Sequence, residues 1–247
     1  MHAIVIVLIM LFSAPGWAAG VVVKDARTLQ LGGSIYRLHG IDAPDLDQTC
    51  INERADSWAC GVEARDTLVK LIGDRAVACQ DVGPDPAAKP RRIGICVIQG
   101  DTDSLSQRLV QDGLAVTIGE PNGRYAADEA AARQARKGLW RGCFVAPQKF
   151  RQWDINAPLL GASCRDDKKA ELQSLLFPDE AVMPPGCPIK GKFAKRARVT
   201  GNVGVYHLQT CRGYASLTKP NRFFCSEDDA KAAGFRRAYN CRGSAKR

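Results

Sequence analysis

Ten cysteines are spread along the 247-residue chain, and the chemistry open to them depends on where the protein works. An even, high cysteine count behind an apolar leader is typical of disulfide bonds in an exported protein. In a reducing cytosol the same count would require metal ions or reactive thiols. We therefore expect disulfides, and the candidate residues are Cys50, Cys60, Cys79, Cys96, Cys143, Cys164, Cys187, Cys211, Cys225 and Cys241.

The N-terminus supplies such a leader. An uncharged apolar run from Ile4 to Phe12 is too short to span a bilayer and is followed by small residues. Gly16 and Ala18 satisfy the small-x-small rule, so residues 1–18 are predicted to be a signal peptide. Because no lysine or arginine precedes the apolar run, an uncleaved membrane anchor is the alternative. After cleavage we expect a periplasmic or secreted protein without stable membrane insertion.

Basic residues are concentrated at the C-terminal end of the chain. The formal net charge is +9, and residues 187–247 alone hold 14 Lys+Arg against 3 Asp+Glu. The rest of the chain then holds 21 of the 35 basic and 23 of the 26 acidic residues. This asymmetry favours an anionic partner, either nucleic acid or an anionic envelope surface. A solvated face that only aids solubility is the alternative.

Short β-prone runs and helical patterns alternate through the first half of the mature chain. The predicted strands are Val21–Lys24, Thr28–Leu31, Ser34–Ile41, Ala76–Gln80 and Ile93–Ile98. Helical patterns lie within residues 52–74, within 101–115 with Asp103 or Ser104 as N-cap and an end at Gly113, and within 124–140 with Gly138 as C-cap. This order predicts a mainly β, α+β fold: a five-stranded OB-fold barrel with three helices.

The chain divides into four predicted segments. They are the signal peptide at 1–18, the OB-fold domain at 20–147, a linker with some helix at 148–186, and a basic, cysteine-containing module at 187–247. Pro184, Pro185 and Gly186 mark the last boundary. We expect this small C-terminal module to be rich in disulfides.

Several motifs follow one another in the order of a known family. They read "VVVKDARTLQL", "IYRLHGIDAPDLDQTC", "WACGVEA", "KPRRIGIC", "LVQDGLAV" and "ARKGLW". The region from Val21 to Pro147 therefore resembles the thermonuclease (staphylococcal nuclease-like) family. The resemblance implies an OB-fold barrel and calcium-dependent hydrolysis of phosphodiester bonds. It also implies DNA or RNA as the partner and no small-molecule cofactor.

The resemblance carries roles onto individual residues. The family's phosphate-clamping arginines match Arg37 and Arg91. One calcium-binding aspartate matches Asp42, and Asp45 stands where the family has a glutamate that acts as general base or positions water. The predicted catalytic residues are thus Arg37, Asp45 and Arg91, with Asp42 as the metal ligand. The family's second calcium-binding aspartate is replaced by Arg27, within the tetrapeptide "DART".

Arg27 weakens the calcium site that the resemblance implies. Calcium needs several oxygen ligands, and a guanidinium both removes one and adds a positive charge. At ~4 Å and an effective dielectric of ~20, one contact between unit charges is worth about 4 kcal/mol. We therefore predict that calcium does not bind here as in the family. Arg27 is instead predicted to pair with Asp42 or Asp45 and to bind phosphate together with Arg37 and Arg91. A surface ion-pair cluster is the alternative.

Three functions remain open at this point. The first is phosphodiester hydrolysis, weak or independent of metal because of Arg27. The second is non-catalytic binding of nucleic acid or another anionic polymer. The third is a periplasmic scaffold, which would show no affinity for nucleic acid even at low salt.

Spacing alone does not fix the cysteine pairing. Cys79 and Cys96 lie on strands that are neighbours in the family's barrel, so a cross-strand disulfide is expected there. Cys50 and Cys60 flank a short loop before the first helix. The remaining expected pairs are Cys143–Cys164, Cys187–Cys225 and Cys211–Cys241.

The basic module resembles the tail that follows some thermonuclease-like domains. More weakly, it resembles the zinc-binding domain of Ada-type DNA repair proteins, with His207 and Cys211 at ligand spacing. Incomplete ligand matching and export favour disulfides over zinc. Basic residues interleaved with aromatic residues suggest a nucleic-acid platform, and a small aromatic core is the alternative. The residues concerned are Lys190, Lys192, Lys195, Arg196, Arg198, Arg236 and Arg237, with Tyr206, Tyr214, Phe223 and Phe224.

Overall fold

The structure is a computed structural model that describes residues 20–119, 123–194 and 202–241. Its N-terminal half contains a five-stranded sheet in the order β1-β2-β3-β8-β7. The strands of this half are β1 Val21–Asp25, β2 Thr28–Leu31, β3 Ser34–Leu38, β4 Ile41–Asp42, β5 Cys50–Ile51, β6 Ser57–Trp58, β7 Val77–Pro84 and β8 Arg92–Ile98.

Within the five-stranded sheet, β3 and β8 are parallel and the other neighbours are antiparallel. The predicted α+β, OB-like fold is confirmed. Closure differs from the prediction, because β1 and β7 form the two ends of the sheet and the described strands do not close it into a barrel. The predicted start of the first strand at Val21 and both ends of Thr28–Leu31 are confirmed, while the run 34–41 is broken after Leu38.

Three helices accompany the sheet, as predicted. They are α1 Cys60–Ile72, α2 Leu105–Gln111 and α3 Ala126–Gln134. The α1 helix starts later than its sequence pattern suggests, because Cys50–Ile51 and Ser57–Trp58 pair as a small hairpin. Ser104 is the N-cap of α2, where its hydroxyl accepts the backbone N–H of Gln107. Gly138 does not cap α3; it begins a separate 3-10 turn.

The core of this half lies between the sheet and helices α1 and α2. Apolar positions at helical spacing bury one face of α1, which explains why the polar residues before Cys60 stay outside the helix. The buried residues of this core include Leu29, Leu38, Ala64, Leu68, Ile72, Leu105 and Leu109.

The segment after the OB-like domain is folded rather than extended. Strand β10 Phe144–Val145 pairs with β11 Leu159–Leu160, and helix α4 Pro147–Arg151 lies between these two strands. Helix α5 Lys169–Leu176 follows them. The preceding short strand, β9 Val116–Thr117, pairs with β4 inside the OB-like domain. Phe150, Leu172, Leu176 and Phe177 pack into one buried cluster. The predicted linker at 148–186 thus contains more packed structure than the sequence suggested.

In its described residues, the C-terminal module contains a four-stranded sheet and one α-helix. Its order is β14-β12-β13-β15, with β13 and β15 parallel. Its elements are β12 Ile189–Phe193, β13 Gly204–His207, β14 Arg222–Phe224, α6 Glu227–Ala232 and β15 Phe235–Arg237. Tyr206, Phe223 and Phe224 are buried, so these aromatic residues serve the core of the module. Lys195, Arg196, Arg198 and the predicted signal peptide lie outside the described residues.

All five predicted disulfides are present. They are Cys50–Cys60, Cys79–Cys96, Cys143–Cys164, Cys187–Cys225 and Cys211–Cys241. They close loops of 10 to 38 residues. Restricting the unfolded chain in this way is worth roughly 2–4 kcal/mol per bond. Because Cys211 and Cys241 are bonded to each other, neither sulfur can bind zinc as a thiolate. In the described part of the chain, no helix combines the length and apolar character needed to cross a membrane.

Candidate anion-binding site

Arg27 lies in the tight turn between β1 and β2. Its backbone N–H donates to the carboxylate of Asp25 at 2.8 Å, which fixes the turn. The side chain extends towards β4, where Nη1 is 2.6 Å from Asp42 Oδ1 and Nη2 is 2.8 Å from Asp45 Oδ1. Arg27 therefore pairs with both aspartates named in the sequence analysis.

Two further arginines bind the same carboxylates. Arg151 at the end of α4 contacts Asp42 Oδ2 and lies 3.4 Å from Asp45 Oδ1. Arg222 on β14 lies 3.3 Å from Asp45 Oδ2. Each of the four carboxylate oxygens of Asp42 and Asp45 therefore has a guanidinium nitrogen within 3.3 Å.

Arg222 also joins the C-terminal module to the OB-like domain. Its Nε and Nη2 donate to the two oxygens of Asp47 at 2.6 and 2.8 Å, and Asp47 also accepts the backbone N–H of Phe223. The side chain of Arg222 is only 1% exposed, with its guanidinium 4.5 Å from the ring centre of Phe150. We call these six charged residues the arginine–aspartate cluster: Arg27, Arg151, Arg222, Asp42, Asp45 and Asp47.

The charges within this cluster stabilise each other. Burial alone would lower the pKa of Arg27, but the charges of Asp45, Asp42 and Asp25 outweigh it and raise the pKa above its ordinary value. Burial would likewise raise the pKa of Asp42, but Arg27 and Arg151 outweigh it and hold the pKa below its usual range. The ion pairs are therefore formed at neutral pH.

The cluster does not fit the calcium ion that the resemblance implies. Calcium requires several oxygen ligands turned towards it. Here the oxygens of Asp42 and Asp45 are turned towards guanidinium groups, and Arg27 places a positive charge between the two carboxylates. Elsewhere in the described ranges, no group of three or more His, Cys, Asp or Glu side chains is arranged to hold a metal ion.

A second group of charges lies where β3 and β8 run in parallel. This pairing brings Arg37 on β3 close to Arg91, which precedes β8. Both approach Asp85: the distance from Oδ2 is 2.6 Å to Arg91 Nε and 3.6 Å to Arg37 Nε. Burial would raise the pKa of Asp85, but the backbone N–H of Ala87 and the charge of Arg91 lower it. We call Arg37 and Arg91 the arginine pair; together they share one carboxylate.

Arg37 is the less compensated member of the arginine pair. Among the described residues, its buried Nε has no hydrogen-bond partner. Burial lowers the pKa of Arg37, and the charge of Asp85 offsets this only in part. An arginine nonetheless stays protonated in a protein. The Arg37 guanidinium therefore carries a positive charge to the cleft, while its buried Nε lies 3.6 Å from Asp85 Oδ2.

The cleft above the arginine pair is a cavity of about 740 Å³. Five arginines and two acidic residues contribute to its lining, together with the aromatic side chain of Trp140 and several apolar side chains. The charged lining residues are Arg27, Arg37, Arg91, Arg133, Arg151, Asp42 and Glu129. A concave site with this excess of cations suits an anionic ligand.

The structure brings the sequence-predicted site residues together. Arg27, Arg37, Asp42 and Arg91 line the large cavity, and Asp45 lines a smaller pocket of about 30 Å³ that also includes Arg27. Their roles stay predictions. Sequence reasoning missed four partners: Asp47, Asp85, Arg151 and Arg222. The one sequence signal for these contacts was the acidic motif "DAPDLD". Basic partners for it were available in the C-terminal tail, where the excess of lysine and arginine lies.

Comparison with known proteins shows what the first domain is similar to. Residues 36–142 match the family model described as staphylococcal nuclease homologue. This part of the chain is therefore similar to the staphylococcal nuclease family, and Arg27 lies just before the matched region.

A curated relative matches about half of the chain. "Succinoglycan biosynthesis protein ExoI" of Rhizobium meliloti (strain 1021) is 31% identical over 121 residues. The match covers 48% of this chain and 62% of the relative, so the chain spans less than two thirds of the relative's length.

Proposed function

We propose that this protein binds nucleic acid through the phosphate groups, using the arginine pair, and does not hydrolyse it by the calcium-dependent route of its family. The observation that carries the proposal is the contrast in the cleft. Arg37 has a buried donor without a hydrogen-bond partner among the described residues, whereas the candidate metal ligand Asp42 and the candidate catalytic carboxylate Asp45 are both bound by arginines. The cleft therefore keeps a positive charge that can bind an anion. The oxygens of Asp42 and Asp45 face guanidinium groups and are not arranged to bind a metal ion.

The arginine pair has the chemistry that phosphate recognition requires. A planar guanidinium donates two parallel hydrogen bonds to a phosphate and needs no metal to do so. Asp85 holds Arg91 in place and leaves Arg37 only loosely paired, at 3.6 Å. A phosphate that accepts from Arg37 would satisfy its buried Nε and balance the second positive charge.

The carboxylates are badly placed for hydrolysis. A general base must accept a proton from water that lies within hydrogen-bond reach. The oxygens of Asp45 instead accept from Arg27 and lie close to Arg222. Aspartate is also one methylene shorter than the glutamate that the family resemblance implies, and a misplacement of ~1 Å can cost about 10²-fold in rate.

Slow hydrolysis without metal is the second candidate function. The observation that favours it is that Arg27, Arg37, Arg91 and Arg151 all line one cavity. Guanidinium groups stabilise the charge that develops during phosphoryl transfer. Such hydrolysis would be insensitive to EDTA, which separates it from the family's calcium-dependent reaction.

The five disulfides support an oxidising compartment as the place of action. Together with the apolar leader sequence, they support export to the periplasm or beyond. The relative's name refers to succinoglycan biosynthesis. Succinoglycan, a polysaccharide, therefore enters the binding test as a competitor of nucleic acid.

The proposal is tested by fluorescence anisotropy with labelled single-stranded DNA and RNA at low salt. Arg37→Ala is expected to weaken binding about tenfold or more, which corresponds to at least about 1.4 kcal/mol. Arg92→Ala is the matched control: Arg92 begins β8 directly after Arg91, is partly exposed, and pairs with Asp81 outside the cavity. Equal affinity of the Arg37→Ala variant and the unaltered protein would contradict the proposal. Preferential displacement by the polysaccharide would reassign the ligand.

A further inference from the structure

A second cavity lies in the OB-like domain, beside β8. Its volume is about 370 Å³, and its lining includes Ile95, Gln107, Arg124, Tyr125 and Asp128. Arg124 is exposed, and its guanidinium lies 5.9 Å from the ring centre of Tyr125. The carboxylate of Asp128 accepts a hydrogen bond from the side-chain amide of Gln107. The second cavity therefore offers an exposed cation among polar side chains that already bind one another.

The parallel strands β3 and β8 connect the arginine pair with the second cavity. Arg37 is opposite Ile93 in the register of these strands, and the backbone N–H of His39 donates to the carbonyl oxygen of Gly94 at 3.0 Å. Because alternate residues of a strand point to the same face, Arg37, His39 and Ile95 share one face of the sheet. Residues two apart on a strand are separated by roughly 6.5 Å. His39 therefore lies one such step beyond Arg37, on the way to Ile95 of the second cavity.

Arg124 and Tyr125 pack against the residue that follows His39. A Cβ added to Gly40 would lie 3.1 Å from the ring of Tyr125 and 3.6 Å from Cβ of Arg124. Burial, followed by the charges of Arg124 and Arg37, lowers the pKa of His39. Two guanidinium groups therefore act on the same imidazole ring, Arg37 from the large cavity and Arg124 from the second one.

The two cavities also share a wall at β9 and the residue that follows it. Thr117 and Ile118 line the large cavity, and the backbone N–H of Ile118 donates to the carbonyl oxygen of Gly40 at 3.0 Å. The hydroxyl of Thr117 accepts the backbone N–H of Tyr125, a lining residue of the second cavity, at 3.3 Å. A ligand that extends beyond the large cavity can therefore reach the second one past His39.

A single-stranded nucleic acid has the matching chemistry, because it carries a charge on every nucleotide. Proteins that bind such strands without sequence preference follow the backbone with a positively charged groove. Arg37, His39 and Arg124 supply cations and hydrogen-bond donors in succession from one cavity to the next. The ring of Tyr125 is buried and is not a platform for a stacked base. The second cavity is therefore suited to the phosphate backbone rather than to the bases.

We propose that the second cavity is a subsite for a further phosphate of the strand that the arginine pair binds. Arg124 is the cation of this subsite, and the half-buried ring of His39 donates a hydrogen bond to the strand between the two cavities. This inference rests on the proposed function, because the strand must first be bound by Arg37 and Arg91. The protein then binds a stretch of several nucleotides through its backbone, with little dependence on the bases.

Ligands of two lengths test this inference. Fluorescence anisotropy measures a labelled single strand of about eight nucleotides, and an unlabelled dinucleotide with a single phosphate is measured by displacement. Arg124→Ala should weaken binding of the longer strand about fivefold and make the slope of log affinity against log salt shallower by about 0.7, because one phosphate contact is lost. The affinity for the dinucleotide should change by less than about twofold, because the arginine pair is intact.

Three further variants separate the local contact from the loss of charge. Arg75→Ala is the matched control, because Arg75 is also exposed, pairs with Asp101 and is not a lining residue of either cavity. It should leave the affinity and the salt slope of the longer strand unchanged. Arg124→Lys keeps a cation at the subsite and should retain most of the affinity that Arg124→Ala loses. His39→Ala should weaken binding of the longer strand more than that of the dinucleotide.

The outcomes separate the two proposals. If Arg124→Ala binds the longer strand as Arg75→Ala does, while Arg37→Ala weakens both ligands, the second subsite is overturned and the proposed function stands. An equal loss for both ligands in Arg124→Ala also overturns the second subsite, because Arg124 would then act on the first phosphate. If neither ligand shows binding that depends on Arg37, the proposed function itself fails. A loss in Arg124→Ala that is confined to the longer strand supports both proposals.

Discussion

The two groups of arginines in this protein lie side by side and differ in how their charge is balanced. In the arginine–aspartate cluster, three arginines meet three aspartates, and the contacts reach 2.6–2.8 Å. In the arginine pair, two arginines share Asp85, and Arg37 lies 3.6 Å from it. The first group is balanced in charge, with only Arg222 Nη1 lacking a hydrogen-bond partner among the described residues, whereas the second carries excess positive charge. Residues that resemble one catalytic site thus divide into a structural half and a proposed binding half.

This division has an energetic basis. Breaking a buried ion pair by removing one partner typically costs about 3–5 kcal/mol, because the remaining charge is stranded away from water. An uncompensated guanidinium at the edge of a cavity contributes little to folding and much to the attraction of an anion. Substitutions in the cluster should therefore affect folding, and substitutions in the pair should affect binding.

The largest effect is expected at Arg222. Arg222→Ala leaves Asp47 buried without its bidentate partner, so the free energy of unfolding should fall by about 3–5 kcal/mol. Urea denaturation followed by tryptophan fluorescence measures this. Arg54→Ala, at an exposed position, is the control and should change stability by less than about 0.5 kcal/mol. A loss of less than about 1 kcal/mol for Arg222→Ala would show that the cluster is not structural.

A smaller effect is expected at Asp229, at the edge of the cluster. Burial and the nearby charge of Asp25 raise the pKa of Asp229 to about 6. Since the folded state then binds the proton more tightly than the unfolded chain, the contribution of Asp229 to stability falls as pH rises from about 4 to about 6 and is constant above. Asp229→Asn removes this cost, so the variant should be more stable than the unaltered protein at pH 7 by up to about 3 kcal/mol.

Near pH 4 the advantage of Asp229→Asn should vanish, which thermal unfolding across this range can measure. The side-chain amide introduced by this substitution can still accept the hydrogen bond that the Ser226 hydroxyl makes to the carboxylate of Asp229. Asp228→Asn is the control, because Asp228 lies in the same helical turn and its side chain is 45% exposed. A stability difference for Asp229→Asn that does not change with pH would rule out a raised pKa of Asp229 as its cause.

The smallest effect on folding is expected in the arginine pair. Arg37→Ala removes a guanidinium whose Nε makes no hydrogen bond among the described residues and is only loosely paired with Asp85, so the free energy of unfolding should change by less than about 1 kcal/mol, while nucleic acid binding falls about tenfold or more. Urea denaturation and anisotropy on the same sample measure both quantities. A large loss of stability with little change in binding would place Arg37 in the structural half and remove the contrast.

Local sequence signals predicted much of the fold but little of the cluster. Short β-prone runs indicated the strands, and Ser104 indicated a helix start, because both signals act over a few residues. The packed segment after the OB-like domain was predicted to be a linker, since its buried residues Phe150 and Phe177 follow no period. All five expected disulfides are confirmed, but only Cys79–Cys96 was predicted from the family resemblance, because spacing alone did not fix the other four pairings.

The partners of the site residues were harder to predict for a physical reason. Arg222 lies 175 residues from Asp47 in sequence, and nothing near either residue indicates their contact. Arg151 similarly reaches Asp42 across 109 residues. Only tertiary packing of α4 and of the C-terminal module brings these charges together. The motif "DART" nevertheless indicated that Arg27 and the aspartates would meet.

The most direct test of the account is a cleavage assay on labelled single-stranded DNA and RNA, run together with binding on the same protein. Calcium, magnesium and EDTA are compared, with Asp42→Asn as the control for a metal-dependent reaction. We expect binding that depends on Arg37, and no cleavage that calcium stimulates. Cleavage that rises with calcium and is lost in Asp42→Asn would contradict it, because Asp42 would then be a metal ligand rather than the ion-pair partner of Arg27 and Arg151.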